Sequence, residues 1–138
     1  MINSRKIADL EPGVAILCRA FVNKCLEEGI DIIITSTYRD YESQNALYAQ
    51  GRTVHGRKVT GAKGGESYHN FRLAFDFAPI KNGKINWKDE ELFRKCGVIA
   101  ESVGLEWAGR WMKNNELAHC QHTFGKTLEQ LREREKTV

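Results

Sequence analysis

The first hydrophobic positions of the chain recur at helical spacing. Val14, Leu17, Cys18, Phe21, Val22 and Cys25 fall three and four apart between Pro12 and Gly29. This predicts a helix with one core-facing stripe, begun by a proline in its first turn and stopped by a glycine. The period then changes: Ile30-Asp31-Ile32-Ile33-Ile34-Thr35 is rich in β-branched residues and reads as a buried strand. A short helix over Tyr41 to Gln50 is stopped by Gly51. In the polar, glycine-rich stretch 52–66 neither period persists. A long loop inside a compact domain usually carries function, and this one reads as a cleft wall. From Leu73 the pattern alternates. Leu73, Phe75 and Phe77 point toward a core, while Ala74, Asp76 and Ala78 point toward an open, uncrowded face. Asn82-Gly83, flanked by Ile80 and Ile85, predicts a hairpin with a type I′ turn. A further helix runs from about Lys88 to Val103, with Leu92, Cys96, Ile99 and Val103 inward and Gly104 at its end. Ala118 to Phe124 predicts a last strand, and Thr127 caps a C-terminal helix that buries Leu128 and Leu131. The order of elements predicts an α+β fold, a small antiparallel sheet flanked by helices, in a single domain over residues 1–138.

Composition narrows the function without naming it. Hydrophobic residues at 41% and charged residues at 28% describe an ordinary globule. The net charge of +3 is too small to argue for nucleic acid. No apolar run is long enough to cross a bilayer, and Met1 to Lys6 leads into polar residues instead of a signal core. The expectation is a cytoplasmic monomer with no membrane insertion. Cys18, Cys25, Cys96 and Cys120 form no Cys-x-x-Cys pair, which favours core packing over a disulfide framework. Cys120, beside the chemistry, is a weak ligand or nucleophile candidate. The glycine-rich loop lacks the Gly-Lys-Ser/Thr ending of a phosphate-binding loop.

The candidate chemistry lies in three places. His69 and Asp76 are joined by a strand-like run, and an imidazole nitrogen converging with a carboxylate suits a divalent cation, zinc first. A catalytic zinc usually takes three protein ligands and keeps one position for water. The third ligand would come from His119 or His122. In an extended segment these two point to opposite faces, so only one can reach the metal, and parity does not say which. Glu116 precedes His119 by three positions. If the chain bends at Leu117–Ala118, its carboxylate comes beside the metal and can serve as general base and then general acid. Arg39, at a strand end, is a candidate for orienting a carbonyl or stabilising an oxyanion, with Gln44 able to face back toward it. Arg52, Lys63, Arg72 and Arg110 are expected around the cleft, where they would suit a substrate bearing carboxylates. Trp107 and Trp111 read as core or cleft walls.

Ser67-x-His69 followed by Ala74-x-Asp76 resembles the Ser-x-His-(x)6-Asp signature of zinc peptidases that cut peptidoglycan stem peptides. Tyr38-Arg39, Gln44, Leu47-Tyr48, Gly51-Arg52-Thr53, Val59-Thr60, Lys63-Gly64-Gly65 and Tyr68-His69-Asn70 resemble the L-alanyl-D-glutamate endopeptidases of phage endolysins and bacterial wall hydrolases. The resemblance runs from about Ser36 to Gln121. It implies a fold like that of hedgehog and D-Ala-D-Ala peptidases, with Zn2+ on His69, Asp76 and His119, acid/base work by Glu116 and carbonyl polarisation by Arg39. His119 is favoured over His122 because Ala118-His119-Cys120-Gln121 stands where the family has Pro-His-Phe-Gln. Substrate contacts are expected from Ser67, Gln44, Arg72 and Trp111. Arg72 and Ala108 replace usual glycines, Ala118 a proline and Cys120 an aromatic; none removes a ligand. The implied partner is the peptidoglycan stem peptide, reached after holin-type release if the chain is phage-encoded. The alternatives are a D-alanyl-D-alanine carboxypeptidase or dipeptidase, a non-haem iron oxygenase on two histidines and a carboxylate, and a silent wall-binding module.

Overall fold

A computed structural model of the chain describes residues 1–137. Helix α1 (Pro12–Glu27) starts with Pro12 in its first turn, and the Glu11 carboxylate accepts from the amides of Gly13 and Val14. It ends where Gly29 turns left-handed at φ 78°. Val14, Cys18, Phe21 and Cys25 are buried along its inner stripe, as the spacing predicts. Strand β1 (Asp31–Ser36) follows, then α2 (Tyr41–Ala49), capped by the Asp40 carboxylate accepting from Ser43 N–H.

The sheet is antiparallel, in the order β1-β2-β5-β4. Its central strand is β2 (Ala74–Lys81), between β1 and β5 (His119–Gln121); β4 (Glu106–Trp107) lies beyond β5, and β3 (Lys84–Ile85) pairs with the far end of β2. The turn between β2 and β3 places Asn82 at φ 54° and Gly83 at φ 75°, the pair of positive angles a type I′ turn needs. Helices α3 (Glu90–Ser102) and α4 (Leu128–Lys136) complete the fold. Thr127 caps α4 in a reciprocal capping box with Gln130.

The core gathers aromatic side chains of α1, β2 and α3. Phe21 packs on Phe75 and Phe77 at ring-centroid distances of 5.8 and 5.0 Å, and Phe77 packs on Phe93 at 5.9 Å. Phe75 and Phe77 thus point inward, as alternation requires. The opposite face is more closed than alternation suggests. Ala74 and Ala78 are fully buried, and Asp76 alone keeps access, with 26% of its side chain exposed. A central strand with neighbours on both edges is covered on both sides, so small side chains there mean close packing, not open space.

Three details depart from the sequence pattern. The last strand is shorter than 118–124, because Phe124 and Gly125 adopt positive φ and turn the chain away. Helix α3 begins at Glu90, where the Asp89 carboxylate accepts from Leu92 N–H; Phe93, more than Leu92, then fills the core. Cys120 is fully buried in that core, and burial pushes its thiol well above the ordinary value. It can act neither as nucleophile nor as ligand at the site, which lies on the other face of β5.

Trp107 links the core to the site. Its indole lies so close to the backbone of α3 that a Cβ at Gly97 would stand 2.1 Å from the ring, and one at Gly109 would do the same. Its Nε1–H donates to Leu117 O at 2.9 Å, tying down the turn just before β5. Among the described residues no helix is long and apolar enough to cross a membrane.

Candidate metal centre

The centre is built on the register of β2 and β5, which sets Asp76 opposite His119. On the other edge, Asp76 stands opposite Ser36, the last residue of β1. His69 arrives from a 3-10 turn, Tyr68–Phe71, whose start is capped by Ser67 Oγ accepting from His69 N–H at 3.2 Å. His69, Asp76 and His119 each offer one ligand atom, and all three atoms lie within 4.8 Å of one another.

Both imidazoles are fixed by a partner on their far side. The Thr37 carbonyl accepts from His69 Nδ1 at 2.8 Å, so Nε2 carries the lone pair and faces Asp76 Oδ1 at 3.2 Å. Gln121 Oε1 accepts from His119 Nε2 at 2.8 Å, which leaves His119 Nδ1 toward Asp76 Oδ1 at 3.1 Å. Two oriented nitrogens and one carboxylate oxygen form the donor set a catalytic zinc takes, and the outer partners are those that fix such ligands. The residues present therefore fit zinc.

Charge at the site is strongly coupled. Burial pushes the Asp76 carboxyl up, but His69 and His119 outweigh it and hold Asp76 well below the usual carboxylate range. Burial pushes His119 down, and Asp76, with help from Gln121 and Glu116, reverses this and raises it. Arg39 is buried and donates from Nη1 to Gln44 Oε1 at 2.9 Å and from Nη2 to Ser36 Oγ at 3.1 Å. Its Nη2 lies 3.7 Å from Asp76 Oδ2, and its buried Nε has no partner.

The bend at Leu117–Ala118 is present. His119 N–H donates to Glu116 O at 3.4 Å, and Glu116 Oε2 comes 3.7 Å from His119 Nδ1 with half its side chain in solvent. His122 points elsewhere, its Nδ1 accepting from Phe124 N–H at 3.1 Å.

A cleft of about 560 Å³ opens over these groups. Val59, Thr60, Ala62 and Glu66 of the glycine-rich loop form one wall, and Ser67 and Trp111 also line it. Gln44 borders the cleft but is 1% exposed, held between Arg39 and the Ala62 carbonyl; it positions Arg39 and has little surface left for substrate.

The expected cationic lining is absent among the residues bordering the cleft, where Arg39 alone is cationic. Arg72, expected to contact substrate, stacks over Tyr38 at 3.8 Å and donates to Asp9 O. Arg52 serves the carbonyls of Tyr48 and Thr60, Lys63 lies over the Tyr48 ring, and Arg110 pairs with Glu101. Each finds its partner locally, which spacing along the chain does not reveal.

Three positioning groups escaped the sequence reading. Gln121 shares a strand face with His119, so parity alone would have flagged it. Thr37 acts through its backbone carbonyl and leaves no side-chain signal. Asn70 is buried, donates to Arg39 O at 2.8 Å and accepts from Gly65 N–H at 2.9 Å, locking the arginine turn to the loop.

This fold sets two histidines and a carboxylate where they could hold one metal ion. Residues 8–123 match the model of the VanY D-alanyl-D-alanine carboxypeptidase family, and the chain belongs to that family. It is 39% identical over 123 residues to the peptidoglycan L-alanyl-D-glutamate endopeptidase CwlK of Bacillus subtilis strain 168, covering 83% of this chain and 74% of that protein. It is 27% identical to the L-alanyl-D-glutamate peptidase of Listeria phage A118, covering 90% of this chain and 41% of the phage protein. Its fold is similar to that of a mutant of the vancomycin-resistance D,D-pentapeptidase VanY in complex with Zn(II). The TM-score is 0.64 at 17% identity, over 82% of this chain and 72% of that one.

Proposed function

We propose that the chain is a zinc-dependent peptidoglycan hydrolase that cuts the stem peptide between L-alanine and D-glutamate. The observation that carries the chemistry is the convergence of His69, Asp76 and His119 on one point, with both imidazoles oriented by Thr37 and Gln121. The kinship with CwlK supports the choice of bond. In this reading the three residues hold Zn2+, which when bound acts as a Lewis acid and lowers the pKa of water to about 7.

The chain's own residues do the rest. Glu116, beside His119 and open to the cleft, takes a proton from the attacking water and delivers it to the leaving amine. Arg39, held by Gln44 and Ser36, presents a fixed positive charge to the substrate carbonyl, and no rotamer search is needed when charge develops there. Ser67 and Trp111 flank the bound peptide. The phage relative supports a narrower reading, an endolysin that reaches periplasmic peptidoglycan after holin-type release. The family's carboxypeptidase description favours one alternative, removal of terminal D-alanine.

Glu116→Gln tests the mechanism. The variant should keep its zinc and its fold and lose roughly 10²–10⁴-fold in turnover on purified cell walls. Glu90→Gln, on the outside of α3, should match wild type. Full zinc with more than about a third of normal activity would remove Glu116 from the reaction.

A further inference from the structure

A second cavity, of about 300 Å³, adjoins the metal centre and is lined by Asp76, Trp87, Phe93, Leu117, Ala118 and Glu116. Asp76 and Glu116 border both this cavity and the main cleft. The two cavities thus meet at these two carboxylates.

The two ends differ in chemistry. The main cleft is polar: Arg39, Thr60, Ser67 and Tyr68 line it, together with Glu66. The second cavity offers no cation and no hydroxyl. Apart from the two shared carboxylates its walls are apolar. An anionic residue there would meet the Glu116 carboxylate with no cation in the lining, whereas a neutral, methyl-bearing residue would cover apolar surface. Trp87 forms the outer wall. It is 58% exposed in the loop between β3 and α3, yet it is not loose: its ring stacks on Phe93 at 5.8 Å and 23°, and Phe93 is itself 2% exposed in the core. A large aromatic left in solvent but backed by the core is a preformed platform.

We propose that this cavity is the subsite for the residue on the amino side of the scissile bond, the L-alanyl unit with the acyl group that caps it, and that Trp87 is its specificity wall. The D-glutamyl side, with its carboxylate, then lies in the main cleft. This assignment rests on the L-alanyl-D-glutamate reading above and says which cavity takes which side of that bond.

The test pairs kinetics with a direct binding readout. N-acetyl-L-alanyl-D-glutamyl and N-acetyl-glycyl-D-glutamyl peptides are compared on the zinc-loaded protein. Wild type should favour alanyl by about tenfold in kcat/KM, since one methyl group in an apolar pocket is worth roughly that much or more. Trp87→Ala should bring the alanyl-to-glycyl ratio close to one at unchanged zinc content and with the fold retained, and Trp87→Phe should keep most of the preference. Independently of any variant, the neutral N-acetyl-L-alaninamide should shift the Trp87 indole N–H resonance of the wild-type protein, and D-glutamate should not. An unchanged ratio in Trp87→Ala, or a Trp87 resonance that answers to D-glutamate alone, overturns the assignment. If wild type cuts neither peptide while N-acetyl-L-alaninamide still shifts Trp87, the bond assignment fails and the apolar subsite stands.

Discussion

His119 and Gln121 stand on the same face of β5, and His119 donates its Nε2–H to Gln121 Oε1 at 2.8 Å. That one bond decides which nitrogen of His119 reaches the metal position. Gln121→Ala should therefore lower zinc affinity by about 10–100-fold, the usual cost of losing an outer-shell partner. His119→Ala should lose most bound zinc, and His122→Ala should bind like wild type because its imidazole serves Phe124 instead. Competition against a chromophoric chelator ranks the three variants. A weaker zinc site in His122→Ala than in His119→Ala would reverse the ligand assignment.

Gly97 has no room for a side chain. A Cβ there would stand 2.1 Å from the Trp107 ring, whose Nε1–H holds the Leu117 carbonyl beside Glu116. Gly97→Ala should destabilise the fold by about 1–3 kcal/mol, the cost of forcing an extra carbon into a packed core. Because the ring must shift, turnover should fall as well, even below the melting temperature. Urea denaturation followed by tryptophan fluorescence, together with wall-hydrolysis rates, checks both effects. Wild-type stability would mean that the indole does not pack on α3 as described.

The metal-free protein should have a stability maximum in mildly acidic solution. Asp76 is depressed in the folded state, so its contribution is present above the ordinary carboxylate pKa of about 3.9 and is lost as pH falls. His119 is raised, so its contribution is full below the ordinary imidazole pKa of about 6.5 and is lost as pH rises through the folded value. Between those limits both are satisfied. Thermal melts in chelator across pH should peak there, and Asp76→Asn should flatten the curve. A maximum above neutral pH in the chelated wild type would contradict the coupling.

Much of this was legible in the sequence because it rests on local rules. Pro12 and Gly29 bounded α1, Asn82-Gly83 specified its turn, and strand parity set His119 and His122 on opposite faces, while the choice of His119 came from the family resemblance. Asp76 and His69 were visible as donors because their residue types and spacing are informative. What remained hidden depends on partners far along the chain. Arg72 binds Asp9, Arg52 binds its own helix and loop, and Gln44 is consumed by Arg39 and Ala62. A free surface cation and one tied to a local carbonyl look the same in sequence. Trp87 gave no signal because its importance lies in what stands behind it, Phe93, and beside it, Glu116.

The central claim is the bond that is cut, and mass spectrometry of peptidoglycan fragments tests it most directly. Purified wall digested by the zinc-loaded protein should yield glycan chains still carrying L-alanine and free peptides beginning with D-glutamate, and chelation should abolish both products. Release of free D-alanine, with the L-alanyl-D-glutamate bond intact, would contradict the account and assign the chain to the carboxypeptidase branch of its family.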